Sequence, residues 1–259
     1  MTKRFCSNFI LSLIVFSNLS LAKEISGNAT TPVAPITFYT ESYPPANYME
    51  NDELVGITVE SLKLMWAEQG INEQDIQLVP WSRGYRNVLQ TSNSALFTMS
   101  KTPAREHLFK WVGPIFNSMH VLVAKKSAQL KFENFGEIIG HSVVTLKGEV
   151  SEIILKQVGF QDFNMAKASS MERAFRMLES DRVEMMMTSV HGFQHIVELL
   201  KIDQSKYQQV WQIEKIGNYI AFNINTPDSV IQSYQQAFDN LAMQRKLIKQ
   251  KYHLPKIEY

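Results

Sequence analysis

The sequence predicts an α/β fold, and three observations carry that prediction. Short β-branched and aromatic runs alternate with longer segments whose apolar residues recur every three or four positions. The chain has 259 residues, 45% of them hydrophobic and 11% aromatic, enough for one large or two medium cores and too apolar for disorder. No internal repeat or low-complexity tract interrupts the alternation.

The elements follow in order. Lys3 and Arg4 precede the apolar run Phe9–Phe16, and Ser20-Leu21-Ala22 closes it with small residues. This three-part layout predicts a secretory signal peptide over residues 1–22, cleaved after Ala22, because the run is shorter than the roughly 20 residues of a membrane span. The expected mature chain, 23–259, is soluble and exported. Residues 23–35 are small and polar with two prolines and read as a leader. Ile36–Thr40 is a first strand. Val59, Leu62, Met65 and Trp66 share one helix face, with Gly70 at the C-cap. Ile76–Val79 is a strand, Ser82–Gln90 a helix and Ala95–Thr98 a strand. Further strands are expected at 119–124, 142–145, 184–188 and 219–222, and helices at about 150–158, 170–179 and 190–200. The closing helix should start with Thr226 as N-cap, Pro227 in its first position and Asp228 in its first turn. Alternation of this kind implies parallel sheets covered on both faces by helices.

Composition excludes several functions. With 26 Lys+Arg against 25 Asp+Glu, scattered along the chain, there is no basic footprint for nucleic acid. The one cysteine, Cys6, lies in the predicted signal peptide, so no disulfide framework, cysteine metal cluster or cysteine nucleophile is expected. His191 and His195, four apart near Glu198, match no zinc motif, and neither a metal nor a cofactor is expected.

Ligands of open α/β sheets bind beyond the carboxyl ends of the strands, so residues just after strands come first. In Thr98–Arg105, the hydroxyls of Thr98 and Ser100 alternate at a strand end and should point the same way. Thr102-Pro103 would start a helical turn with free N–H groups, and Arg105 offers two parallel hydrogen bonds to a carboxylate. The parts suit a carboxylate clamp; an ordinary helix start with a surface arginine has the same spacing. Asp181–His191 ends a strand in Thr188, Ser189 and His191, its three methionines being core residues.

These segments and others resemble the bacterial extracellular solute-binding proteins of family 3. The resemblance rests on Ile36–Thr40 with Tyr43-Pro44-Pro45, Leu54–Ile57, Pro80-Trp81, Thr102–Glu106, Trp111–Pro114, Ser142–Glu149, Leu178–Glu184 and Gln250–Tyr252, and runs from about Ile36 to Tyr252. It implies a two-lobe periplasmic binding protein type II fold, each lobe a mainly parallel sheet flanked by helices, joined by a two-strand hinge. Lobe 1 would be 36–116 plus 220–259, and lobe 2 would be 117–219. It implies a monomeric, non-enzymatic solute-binding protein that captures a small carboxylate-bearing ligand for an ABC-type permease or a sensor receptor. The implied ligand-binding residues are Tyr43, Trp81, Thr98, Ser100, Arg105, Gly148 and Ser189, with Arg83, Glu149 and His191 in reserve. A dehydratase on the same fold resembling cyclohexadienyl dehydratases is the rival, and would use an acid between the lobes, for which Glu149 is the candidate.

Ser189 stands where amino-acid binders of the family carry the aspartate that holds the ligand's ammonium. A buried ammonium without a counter-charge is costly, so the expectation is a ligand without a free α-ammonium unless Glu149 or Glu184 substitutes. Glu184 sits nearer its strand's start and is expected to be structural.

Overall fold

Long strands at the centre organise the chain. The computed structural model describes residues 35–252. In order, the elements are β1 (Thr37–Thr40), β2 (Tyr48–Glu50), β3 (Glu53–Val55), α1 (Ile57–Glu68), β4 (Ile76–Leu78), α2 (Trp81–Gln90), β5 (Ser94–Ser100) and β6 (Phe109–Lys125). There follow α3 (Phe135–Ile138), β7 (Val143–Leu146), α4 (Val150–Gln157), β8 (Met165–Ala168), α5 (Met171–Glu179), β9 (Met185–Ser189) and α6 (Val190–Leu199). The chain closes with β10 (Tyr207–Asn223), α7 (Asp228–Asn240) and α8 (Ala242–Lys251). The expected signal peptide and most of the leader lie outside the described residues. Among those described, no helix is long and apolar enough to cross a membrane.

Eight strands form one sheet in the order β4-β1-β5-β10-β6-β9-β7-β8, with β2 and β3 a separate hairpin. β4, β1 and β5 are mutually parallel, as are β9, β7 and β8. Between them β6 and β10 pair antiparallel over 17-residue strands. The sheet is therefore mixed: each end is parallel, in keeping with the expected mainly parallel sheets, and the two long antiparallel strands lie between the ends. Of these two strands only 119–124 and 219–222 were expected. Register shifts at Gln209/Trp211, Gln212/Glu214 and Asn218/Ile220 break the two-residue period that reveals a strand in sequence.

Side chains pack on both faces of each end of the sheet. At the β1–β5 end, Phe38, Trp66, Phe97, Phe222 and Tyr234 form one core, and Tyr39, Val88, Leu96, Met99 and Phe109 the other. Phe38 meets Trp66 edge-on at 5.3 Å, and the Trp66 indole donates to the Tyr234 hydroxyl at 3.0 Å. At the β9–β7 end, Val121, Val123, Met186 and Phe175 face one way and Leu122, Ala124, Met185 and Met187 the other. The three consecutive methionines are thus core, shared between two layers.

Helix ends follow local chemistry. Gly70, at φ 65°, follows α1, and the N–H groups of Gly70 and Ile71 return to the carbonyls of Ala67 and Trp66, a Schellman closure. The closing helix differs from expectation. It begins at Asp228 with Pro227 in the cap position and no side-chain cap, while the Thr226 hydroxyl is buried with no hydrogen-bond partner among the described residues. Pro227 takes an extended ψ of 140°, which puts it outside the helix.

Candidate functional site: a cleft at the strand ends

The carboxyl ends of five strands converge on one cavity. Glu41 follows β1, Trp81 opens α2 just after β4, Ser100 ends β5, Glu149 caps α4 after β7, and Ser189 ends β9. Together with Tyr43, Thr98 and Arg105 they line an inner cavity of about 40 Å³, floored by His120 and Asn218 from the two long strands. A second cavity of about 550 Å³ adjoins it, and Glu41, Tyr43, Leu146, Glu149 and Met171 line both.

Arg105 is 5% exposed. Its guanidinium lies 5.1 Å from the Trp81 ring centroid and 5.4 Å from that of Tyr85, so aromatic faces hold the cation in place. One nitrogen donates to the Ser100 carbonyl at 3.4 Å. Burial lowers its pKa, opposed by Tyr85, Glu149 and Glu41. Among the described residues no carboxylate is within ion-pair distance of it, although Glu41 and Glu149 both feel its charge. The turn before it differs from expectation: Thr102 accepts from the N–H groups of Arg105 and Glu106, and only a three-residue 3₁₀ turn, Glu106–Leu108, follows. It supplies no helix N-terminus for an anion.

Thr98 also departs from expectation. Its φ is 62°, a left-handed conformation unusual for a β-branched residue, at a bulge where Tyr219 faces Met99 and Ile220 faces Phe97. The bulge resets the alternation, so Thr98 and Ser100 reach the cavity by geometry other than simple period two. The Thr98 hydroxyl donates to Asn47 Oδ1 and lies 3.0 Å from Thr58 Oγ1. The buried Asn47 amide donates in turn to the Glu41 carbonyl, tying Glu41 to Thr98.

Two hydrogen bonds cross the cleft. The Tyr43 and Ser189 hydroxyls meet at 2.7 Å, and the Trp81 indole donates to the Gly148 carbonyl at 3.1 Å. Ser189 also caps α6, accepting from the Gly192 N–H at 3.0 Å. Burial pushes the Tyr43 phenol up to about 12.

The two acids are the electrostatic feature that the sequence reading did not assemble. Burial raises Glu41 well above the ordinary carboxylate value; Glu149 raises it further, and Arg105 opposes. Burial likewise lifts Glu149 to about 7 against the pull of Arg105. His120, 4% exposed, is held neutral by burial with a pKa of about 4, and among the described residues its Nδ1 has no hydrogen-bond partner.

The cleft thus gathers Tyr43, Trp81, Thr98, Ser100, Arg105, Glu149 and Ser189, with Gly148 at its rim as an acceptor. Arg83 is exposed and His191 is buried in α6; neither lines the inner or the adjoining cavity. Glu41 and His120 were missed. Glu41 obeys the strand-end rule but stands two residues before the aromatic that drew attention. His120 lies inside a strand, where sequence gives no sign of a cavity. Glu184 is occupied with His141, the Ser142 N–H and the Ser142 hydroxyl, whose hydrogen bonds outweigh its burial and lower its pKa. Among the described residues no three His, Cys, Asp or Glu side chains are grouped to hold a metal ion.

A two-ended α/β sheet with its cleft at the strand ends is the architecture of a type II periplasmic binding protein. The family model of the bacterial extracellular solute-binding proteins, family 3, matches residues 36–252, and the chain belongs to that family. Its fold is similar to that of a histidine kinase sensor domain with similarity to periplasmic binding proteins, at 14% identity and TM-score 0.76, covering 85% of this chain and 96% of that one. It is also similar to the arginine-, lysine-, histidine-binding protein ArtJ from Geobacillus stearothermophilus, at 14% identity and TM-score 0.71, covering 85% and 95%. The GluR0 ligand-binding core from Nostoc punctiforme, in complex with L-glutamate, matches at 16% identity and TM-score 0.71, covering 85% and 99%. No curated protein sequence matches significantly.

Proposed function

We propose that this protein is a periplasmic solute-binding protein that captures a small carboxylate-bearing ligand by closing two lobes over it, without covalent chemistry. The lobes would be 36–116 plus 220–259 and 117–219, hinged where β6 and β10 cross between the two pairs of cores. The observation that carries the reading is Arg105: a buried guanidinium, held by two aromatic rings and donating to the Ser100 carbonyl, faces the cavity with no ion-pair partner among the described residues. A fork of fixed donors in such a place suits a ligand carboxylate. Family membership supports capture and delivery as the role, with an ABC-type permease or a sensor receptor as recipient.

The test is calorimetry on the wild type and Arg105→Ala with a panel of amino and organic acids. The variant is expected to lose about 2–5 kcal/mol of binding, much of it from leaving the carboxylate unpaired. Unaltered affinity would remove Arg105 from the site. Incubation with prephenate or arogenate is expected to return the substrate unchanged; product formation would turn the reading toward the dehydratase.

A further inference from the structure

Glu41 and Glu149 reach one place from opposite ends of the sheet. Glu41 follows β1 and Glu149 precedes α4, and both half-buried side chains line the inner and the outer cavity. Neither carboxylate makes a hydrogen bond or ion pair among the described residues. Glu149 stands at the cap position of α4 without capping it, and Glu152 Oε2 accepts from the nearby Gly148 N–H instead. Both acids feel Arg105 by charge alone, and Glu149 acts on Glu41 as a like charge.

The other titratable groups around the pair add no positive charge to it. Tyr43 and His120 line the inner cavity, the phenol pushed up to about 12 and the imidazole held neutral, both by burial. Glu172 and His195 line the outer cavity; Glu172 is paired with Arg176, and burial lowers the His195 pKa against the pull of Glu198. Tyr85 stacks on Arg105 and lines neither cavity. Glu152 is paired with Lys156 and Lys167, and the exposed Lys147 lines neither cavity.

With both acids ionised, they and Arg105 carry a net charge of −1, and a ligand carboxylate would make it −2. Like charges crowded in a half-buried site do not all stay ionised. The ligand would also occupy Arg105, the cation that holds both acids down. Independently of the acids, the unpartnered Nδ1 of His120 opens on the same cavity and points to a polar ligand group there.

We infer that Glu41 and Glu149 form a proton-binding pair, and that the cleft takes up its carboxylate ligand together with a proton. The inference rests on the carboxylate reading of Arg105 and adds a regulation of that site. Acids whose pKa is higher in the bound than in the free protein take up protons on binding, so capture strengthens as pH falls toward the ligand's own pKa. A ligand ammonium would supply the missing cation, leave the acids ionised and abolish the uptake.

Calorimetry of lactate, butanoate, benzoate and 3-phenylpropanoate in PIPES and in Tris tests it, because the two buffers differ in ionisation heat and so report proton uptake directly. About one proton should be taken up per bound acid at pH 7, and affinity should fall roughly tenfold or more from pH 6 to pH 8. The double variant Glu41→Gln with Glu149→Gln, whose amides stand for the protonated acids, should show no uptake and should bind more tightly than wild type at pH 8. The inference is overturned if an acid binds wild type without proton uptake, if uptake survives in the double variant, or if none of the four acids binds. The wild-type measurement stands without the variant. The carboxylate reading is decided separately, by Arg105→Ala on the wider panel: an amino acid bound through Arg105 with no proton uptake would keep that reading and sink this one.

Discussion

Glu149 shows how one side chain's surroundings set a measurable property of the whole protein. Its folded-state pKa of about 7 lies above the ordinary 4.5, so the native state holds a proton that the unfolded state has released. The associated stability is present below pH 4.5 and is lost as pH rises through 7. His120 works in the opposite sense: its pKa is depressed from 6.5 to about 4, so its contribution is present above pH 6.5 and lost as pH falls through 4. The two partly cancel in the wild type. Glu149→Gln should therefore melt at a temperature that climbs, relative to wild type, between pH 4.5 and 7; parallel melting curves across that range would show Glu149 ionised normally. Thr98 gives a second residue-scale prediction. Thr98→Val keeps the shape and the left-handed backbone but strands the buried Asn47 oxygen, and should cost about 1–3 kcal/mol in urea denaturation.

At the scale of elements, what was readable and what was hidden follow from period. Strands such as β1 and β9 are short, uninterrupted and apolar, and their expected positions are within a residue or two of those observed. β6 contains Gly113-Pro114, Asn117, Ser118 and His120, and β10 carries repeated register shifts, so neither presents 17 residues of regular alternation. β8, Met-Ala-Lys-Ala, has little intrinsic strand preference and is held by parallel pairing with β7. The start of α1 depends on backbone shape. Gly56 precedes it at φ 125°, and a Cβ there would run into the carbonyl of Ala46. Gly56→Ala should destabilise by more than about 1 kcal/mol in denaturant unfolding, since the alanine must shift both the backbone and its neighbour. A loss within error would mean that the 43–47 loop yields freely.

At the scale of the molecule, the cleft is spanned by two hydrogen bonds, Tyr43 to Ser189 and Trp81 to Gly148, between residues 146 and 67 positions apart in sequence. Under the proposed mechanism these are closing contacts, and the hinge is the pair β6 and β10. Ligand addition should reduce the radius of gyration in small-angle scattering, and a bound ligand that leaves the curve unchanged would count against lobe closure. It should also raise the melting temperature by a few degrees at a hundredfold excess over Kd, through about 2.7 kcal/mol of linkage.

Composition, periodicity and cap residues were enough to establish the α/β class, most elements, and a hydroxyl-and-arginine cluster after a strand, because each depends on neighbours within a few positions. The chemistry of the cleft depends on distance in space. Whether Arg105 lies on the surface or between Trp81 and Tyr85, whether Thr98 follows the strand's alternation, and whether Ser189 leaves the cleft without negative charge were all decided by tertiary packing. The fold brings Glu41 and Glu149, more than a hundred residues apart, to one cavity around one arginine. Burial there raises both acids, a property that neither residue's local sequence contains.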